Sequence, residues 1–188
     1  MSENKVRFGL KNVHYATFEE VDGAVTFDKP KKFPGAVELT IEPKGELSEF
    51  YADNEKYYVA SSNQGYEGTY TCAEIPEDFR TSVLGDKLIG GVLVETTDAK
   101  TKPVALLYEF DGDVKATRHV LYNATFSRPS ESGATTEDST EVSTNELSFQ
   151  SGTGPNGLVK AKTSSTTTAE IYDKWYDTVH IPTETPTP

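Results

Sequence analysis

The stretch 65–85, GYEGTYTCAEIPEDFRTSVLG, joins a strand pattern directly to a helix pattern. Its first part alternates between a face with Tyr66, Tyr70 and Cys72 and a face with Glu67, Thr69 and Thr71, as a half-buried strand requires. Pro76 suits the first helical position, the acidic residues after it suit the helix dipole, and Gly85 suits a left-handed C-cap. We therefore predict a strand over 66–75 and a helix over about 76–84.

A helix this short is marginal alone in water, so it must pack against the rest of the chain. Phe79 and Val83 are four residues apart and form one apolar stripe. We predict that these two side chains anchor the helix to the sheet.

The composition favours sheets joined by turns. The chain has 188 residues, with 10 Tyr, 9 Phe and 14 Gly, and aromatic residues are enriched in strands. We predict a mainly β (α+β) fold with a single domain over 1–180. The Pro- and Thr-rich segment 181–188 is predicted to be a disordered tail.

The formal net charge of -12 makes the surface repel phosphate backbones, so tight nucleic-acid binding is not expected. No apolar segment has the length or position of a signal peptide or a membrane span. We therefore expect no membrane association and a chain that is made and kept in the cytoplasm. The lone Cys72 is predicted to be a core residue.

The clearest strand pattern lies at 36–42, where Val37, Leu39 and Ile41 oppose Glu38, Thr40 and Glu42. Further strands are predicted at 6–10, 13–17, 88–96 (buried), 104–110, 114–126, 147–149 and 158–161, with a hairpin turn at 111–112 and a second turn at 152–157. Ile171, Trp175 and Val179 have helical spacing within 169–180, although a strand is also possible there. The polar segment 127–144 is predicted to be an exposed loop.

Residues 43–65 (PKGELSEFYADNEKYYVASSNQG) have no sustained period and read as a long loop. Loops of this length in compact domains are usually functional or disordered. The aromatic side chains argue against disorder and favour contact with a partner surface: Phe50, Tyr51, Tyr57 and Tyr58. A self-packed Ω-loop or a short extra hairpin is the alternative interpretation.

Catalytic and ligand-binding motifs are missing from the sequence. GTGPNG at 152–157 has the glycine spacing of a dinucleotide-binding loop, but a strand-like segment follows it in place of a helix. His14, His119 and His180 have no metal-ligand spacing, and no serine lies in a nucleophile motif. We expect no enzyme activity, no cofactor and no metal.

Several stretches resemble the phage major tail proteins, the tail-tube subunits of long non-contractile tails in phages of Gram-positive bacteria. They are the opening VRFGLKNVHYA (6–16), the central FYADNEKYY (50–58), the stretch 65–85 and the late ATRHVLYNATFSRPS (116–130). The resemblance covers most of the chain.

This resemblance implies an antiparallel β-sandwich that self-assembles into hexameric rings, which stack into a tail tube through which DNA passes on ejection. It implies a virion protein assembled in the host cytoplasm, with a tape-measure protein, a tail terminator and distal tail proteins as partners. In such a tube the polar strand face would line the lumen without binding DNA specifically: Glu38, Thr40, Glu42 and Glu67. The loop 43–65 would make contacts between rings.

Two other hypotheses follow from the residues. The first is a carbohydrate- or cell-wall-binding β-sandwich whose exposed aromatics stack on sugars, although the aromatics gather around one loop and not along one sheet face. The second is a metal-independent hydrolase, which no motif favours. In either case the carboxylates of 36–42 would be ordinary solvated surface.

Overall fold

A computed structural model describes residues 3–21, 24–52, 54–130, 143–155 and 157–182. The predicted loop 127–144 and the predicted tail 181–188 lie largely outside the described residues. The strands of the described chain are β1 (Arg7–Val21), β2 (Ala24–Phe27), β3 (Lys31–Lys32), β4 (Ala36–Pro43), β5 (Leu47–Ala52), β6 (Glu55–Ser61), β7 (Tyr66–Cys72), β8 (Lys87–Ile89), β9 (Val92–Val94), β10 (Val104–Gly112), β11 (Thr117–Phe126), β12 (Asn145–Ser151) and β13 (Lys160–Lys162).

The strands form one large sheet and two separate hairpins within the described residues. The order in the large sheet is β2-β1-β10-β11-β12-β7-β4, with β3 added to β1 and β13 added to β11. The strand pairings among the described residues of this sheet are antiparallel, which confirms the mainly β, antiparallel prediction. Because β4 also contacts β1, the sheet curls and encloses a core between its two halves.

The enclosed core is rich in aromatic rings from distant parts of the chain. Phe79 is fully buried, and its ring centroid lies 4.9 Å from that of Tyr15, 4.7 Å from that of Phe33 and 5.3 Å from that of Phe126. Val83 is equally buried. The apolar stripe of the short helix therefore faces the inside of the curled sheet.

The helix differs in geometry from the sequence prediction. One α-helical turn, α1 (Glu77–Phe79), continues into a π-helical turn, Arg80–Leu84. The Ser82 hydroxyl donates a hydrogen bond of 2.5 Å to the carbonyl of Asp78, four residues back, and such back-bonding distorts a helix. Gly85 adopts φ 88°, the left-handed conformation predicted for the C-cap.

A second core covers the outer face of β10 and β11. Helix α2 (Ala169–Asp173) and the following turns place Trp175 and Val179 against it. The helical spacing predicted for 169–180 is therefore correct in its first part. Beside this core the buried Glu109 pairs with Arg118 at 3.0 Å and accepts a hydrogen bond of 2.6 Å from Asn12.

Three sequence predictions for connections are wrong. Residues 7–17 belong to one long strand and not to two, because Asn12 adopts a positive φ of 50° at an irregularity in β1 and its side chain reaches Glu109. The turn after β10 lies at 113–116 and not at 111–112. The segment 152–157 is not a hairpin turn, since β12 and β13 both pair with β11.

Candidate assembly surfaces

On the polar face of β4, β7 and β12, side chains form an array of three rows that run across the strands. The register places Glu38 opposite Thr71, Thr40 opposite Thr69 and Glu42 opposite Glu67. On the other side of β7 the rows continue into β12 with Glu146, Ser148 and Gln150. The structure therefore brings together the four residues that sequence analysis placed on a lumen-facing surface.

This face is concave and acidic. An open groove of about 370 Å³ runs across it and is lined by Thr40, Glu42, Glu67 and neighbouring polar residues. Within the described chain, Lys44 is the one cation in an ion pair with these carboxylates, at 3.6 Å from Glu67. The groove thus offers carboxylates and hydroxyls to a passing molecule, and its charge opposes contact with phosphate groups.

Strand β4 lies at one end of the sheet order, so one of its edges has no partner strand among the described residues. The register shifts between Ala36 and Glu38, which makes Val37 the extra residue of a bulge. Val37 is 58% exposed, so its predicted place on the apolar face with Leu39 and Ile41 is wrong. A bulge on an edge strand twists the edge and so limits its pairing with another chain at that position.

The predicted long loop 43–65 is a β-hairpin, the alternative interpretation given above. Strands β5 and β6 pair with each other and with no other strand of the described chain. Tyr57 and Tyr58 are 75% and 62% exposed although neighbours on a strand point to opposite faces. Each face of β6 therefore exposes a tyrosine.

The hairpin has a small polar network of its own. The Tyr51 hydroxyl donates to Glu49 at 2.8 Å, and Glu49 also pairs with Lys56. These hydrogen bonds lower the pKa of the Glu49 carboxyl and raise that of the Tyr51 hydroxyl. The Phe50 side chain lies outside the described part of the chain, and only its backbone pairing with Tyr58 is described.

A second exposed hairpin was missed by the sequence analysis. Residues 88–96 were predicted to be one buried strand, but β8 and β9 are two strands joined by Gly90 and Gly91. Both glycines have positive φ, 60° and 81°, which is the requirement of a tight two-residue hairpin turn. The Gly-Gly pair is typical of a hairpin turn, but the apolar residues around it favoured the prediction of a single buried strand.

Basic residues gather near His119, which is buried and stacks on Tyr108 with ring centroids 5.0 Å apart. Burial, and then the charges of Lys160, Lys162 and Arg7, lower the pKa of His119 to about 3. Its Nδ1 atom has no hydrogen-bond partner among the described residues. The folded protein therefore holds His119 in its neutral form.

This burial predicts an acid-sensitive step in stability. Because the unfolded His119 has an ordinary pKa near 6.5, the unfolded chain binds a proton that the folded chain excludes at pH values between about 3 and 6.5. The stabilisation is complete above that window and decreases as the pH falls into it, by about 2 kcal/mol between pH 7 and pH 5. Urea unfolding at both pH values measures the change.

The matched variant is His119→Phe, which keeps a ring on Tyr108 and cannot titrate. Its unfolding free energy should depend less on pH over the same interval: burial also lowers the pKa of His14, which retains part of the dependence, while the lowered pKa of Asp78 places its titration at lower pH. An identical pH dependence in both proteins would show that His119 does not cause the step.

The fold is similar to that of a known assembly component. One chain of the "Cryo-EM structure of the anti-feeding prophage (AFP) baseplate, 6-fold symmetrised" matches with a TM-score of 0.50 and 11% sequence identity. The match covers 89% of this chain and 100% of the prophage chain. At this identity the likeness shows a shared fold. Neither a protein-family model nor a curated protein matches the sequence.

Sites of two other types are absent from the part of the chain that the structure describes. Across 3–21, 24–52, 54–130, 143–155 and 157–182, no group of three or more His, Cys, Asp or Glu side chains is placed to hold a metal ion. Within the same ranges no helix has the length and apolar character needed to span a membrane. Cys72 is buried, and burial raises the pKa of its thiol to about 11.

Proposed function

We propose that this protein is a structural virion protein, the subunit of a phage tail tube built from stacked hexameric rings. The observation that carries the proposal is the fold shared with a chain of a 6-fold symmetrised prophage baseplate over the whole of that chain. The resemblance of four sequence stretches to the phage major tail proteins supports the same assignment.

The ring is built by completing the sheet. Strand β4 ends the sheet with an unpaired edge, and β2 ends it on the other side. Pairing between neighbouring copies at such edges removes exposed backbone donors and acceptors, and closure of the ring removes every edge. Six copies would then carry one continuous inner wall.

The inner wall is the polar face of β4, β7 and β12. Its three rows place Glu38, Glu42 and Glu67 on one face, and Glu42 and Glu67 lie opposite each other in its groove. Repeated around each ring, these carboxylates repel the DNA phosphates, so DNA passes without specific binding. The protein acts as a passive conduit and not as an enzyme, and its partners are further copies, a tape-measure protein, a tail terminator and distal tail proteins.

Contacts between rings are assigned to the β5–β6 hairpin, which exposes Tyr57 on one face of β6 and Tyr58 on the other. Replacing 49–59 with Asn-Gly keeps Ser48 opposite Ala60, as in the native register, and removes Tyr51, Tyr57 and Tyr58. We expect a folded, soluble subunit that forms rings and no tubes, because the surface that joins successive rings is gone. Electron microscopy and thermal unfolding measure assembly and folding separately.

The control is Val114→Asn, a substitution at an exposed position outside both exposed hairpins. This variant should form normal tubes. Normal tubes from the shortened protein would contradict the assignment of the β5–β6 hairpin.

A further inference from the structure

The β8–β9 hairpin exposes large apolar side chains on both of its faces. Leu88 faces Leu93 across the two strands, and Ile89 faces Val92. Their exposed fractions are 51% for Leu88, 37% for Leu93, 59% for Ile89 and 61% for Val92. An isolated two-stranded hairpin is marginally stable in water, so this one lacks the covering layer that such a hairpin needs.

The two exposed hairpins lie at opposite ends of the sheet. The β5–β6 hairpin leaves the end where Pro43 pairs with Tyr66. The β8–β9 hairpin lies at the other end, where an ion pair of 2.8 Å joins Glu95 to Arg128, just beyond the last residue of β11. Two copies stacked end to end would bring one hairpin of each type together.

Two lysines at the base of the β8–β9 hairpin have no acidic partner among the described residues. Segment 86–102 has three acidic residues, and each is paired: Asp86 with Arg80, Glu95 with Arg128 and Asp98 with Lys87. Lys100 and Lys102 have no ion pair within the described chain, which leaves two positive charges at this base.

The β5–β6 hairpin carries the opposite charge. Between 47 and 61 the sequence has Glu49, Asp53, Glu55 and Lys56, so three acidic residues and one basic residue give a net charge of -2. Lys56 is paired with Glu49. The acidic, aromatic hairpin at one end thus complements the apolar hairpin with a basic base at the other end.

We propose that the β8–β9 hairpin of one copy is the docking site for the β5–β6 hairpin of a second copy stacked end to end. The tyrosines cover the apolar pairs, and the acidic residues meet Lys100 and Lys102. The contact joins two different surfaces, so it repeats along the axis without closing on itself, as a growing tube requires. This inference rests on the proposed tube function and adds the receiving surface of the inter-ring contact.

Disulfide cross-linking tests the contact directly. Ile89→Cys chains and Tyr57→Cys chains, one of them lengthened by a tag, are mixed under assembly conditions and oxidised. We expect a disulfide-linked heterodimer as the main cross-linked product, because Tyr57 lies at the docking surface. Cys72 does not compete, since it is buried with a raised thiol pKa. The control mixture pairs Tyr57→Cys with Val114→Cys, an exposed position outside both hairpins, and should give little heterodimer.

A charge substitution gives the second measurement. Ile89→Glu with Val92→Glu places carboxylates in the contact, and we expect rings to form while the protein concentration needed for tubes rises at least about tenfold, equivalent to about 1.4 kcal/mol. Val114→Glu is the matched control and should assemble as the wild type does. Wild-type tubes without the heterodimer would overturn the docking site and leave the tube function standing. Wild-type protein that gives neither rings nor the heterodimer would overturn both.

Discussion

Phe79→Ala is expected to lower the free energy of unfolding by about 3 to 5 kcal/mol, the cost of truncating a fully buried aromatic side chain. The ring touches three others, with edge-to-face geometry against Tyr15 and Phe126. The cavity cannot close easily, because Tyr15 lies on β1, the Phe33 backbone donates a hydrogen bond of 2.8 Å to the carbonyl of Val13, and both side chains are themselves buried. For a chain of this size the loss corresponds to a fall in melting temperature of about 6 to 20 °C.

The matched control is Phe8→Ala, which removes the same atoms from an exposed position on β1. Its unfolding free energy should stay within about 0.5 kcal/mol of the wild type. Urea unfolding of the unassembled subunit measures both variants. A change for Phe79→Ala as small as that of the control would show that the helix does not depend on this side chain.

The double substitution Glu38→Lys and Glu42→Lys is expected to convert an inert channel into one that binds DNA. The two positions lie on the same face of β4, one row on either side of Thr40, and neither carboxylate forms an ion pair within the described chain. The local charge therefore changes from two negative to two positive per subunit, a difference of four. Lys44 already lies beside Glu67 and would strengthen the new positive surface.

We expect these tubes to assemble, because the substituted side chains face away from the core. They should bind duplex DNA with a dissociation constant of about 10⁻⁴ to 10⁻⁶ M at physiological salt, and the affinity should fall steeply as salt increases. Genome ejection should be slow or blocked. Salt titration of DNA binding to purified tubes is the measurement.

Glu19→Lys with Glu20→Lys makes the same change in net charge on exposed residues of β1, outside the polar array. Tubes of this control should not hold DNA in the channel. If the Glu38 and Glu42 variant gains no affinity at low salt and ejects DNA at the normal rate, these carboxylates are solvated surface and not the channel wall.

Local patterns in the sequence were sufficient for the strand β7, the short helix and the mainly β class, while the antiparallel arrangement was implied by the family resemblance. Each of these depends on neighbours along the chain: alternation in 66–72, a proline and two acids at the helix start, and a glycine with φ 88° at its end. The polar array followed from the same alternation in β4, because Glu38, Thr40 and Glu42 keep one face even though the bulge displaces Val37.

The hairpins could not be assigned correctly from the sequence because burial depends on what covers a strand. Residues 88–94 are as apolar as a buried strand, yet no other part of the described chain covers them. Residues 47–61 lack a clear period, and the exposure of both Tyr57 and Tyr58 agrees with this, since burial of one face would favour alternation. Side chains that contact another molecule need not follow the alternation of apolar and polar residues that burial in the chain's own core imposes.

The central claim is that this chain builds rings that stack into a tube, and electron microscopy of the purified, concentrated protein in negative stain tests it most directly. The account predicts rings with six-fold symmetry and tubes made of such rings, with a central channel. A protein that stays monomeric at high concentration, and above all one that binds a glycan through its exposed tyrosines, would contradict it.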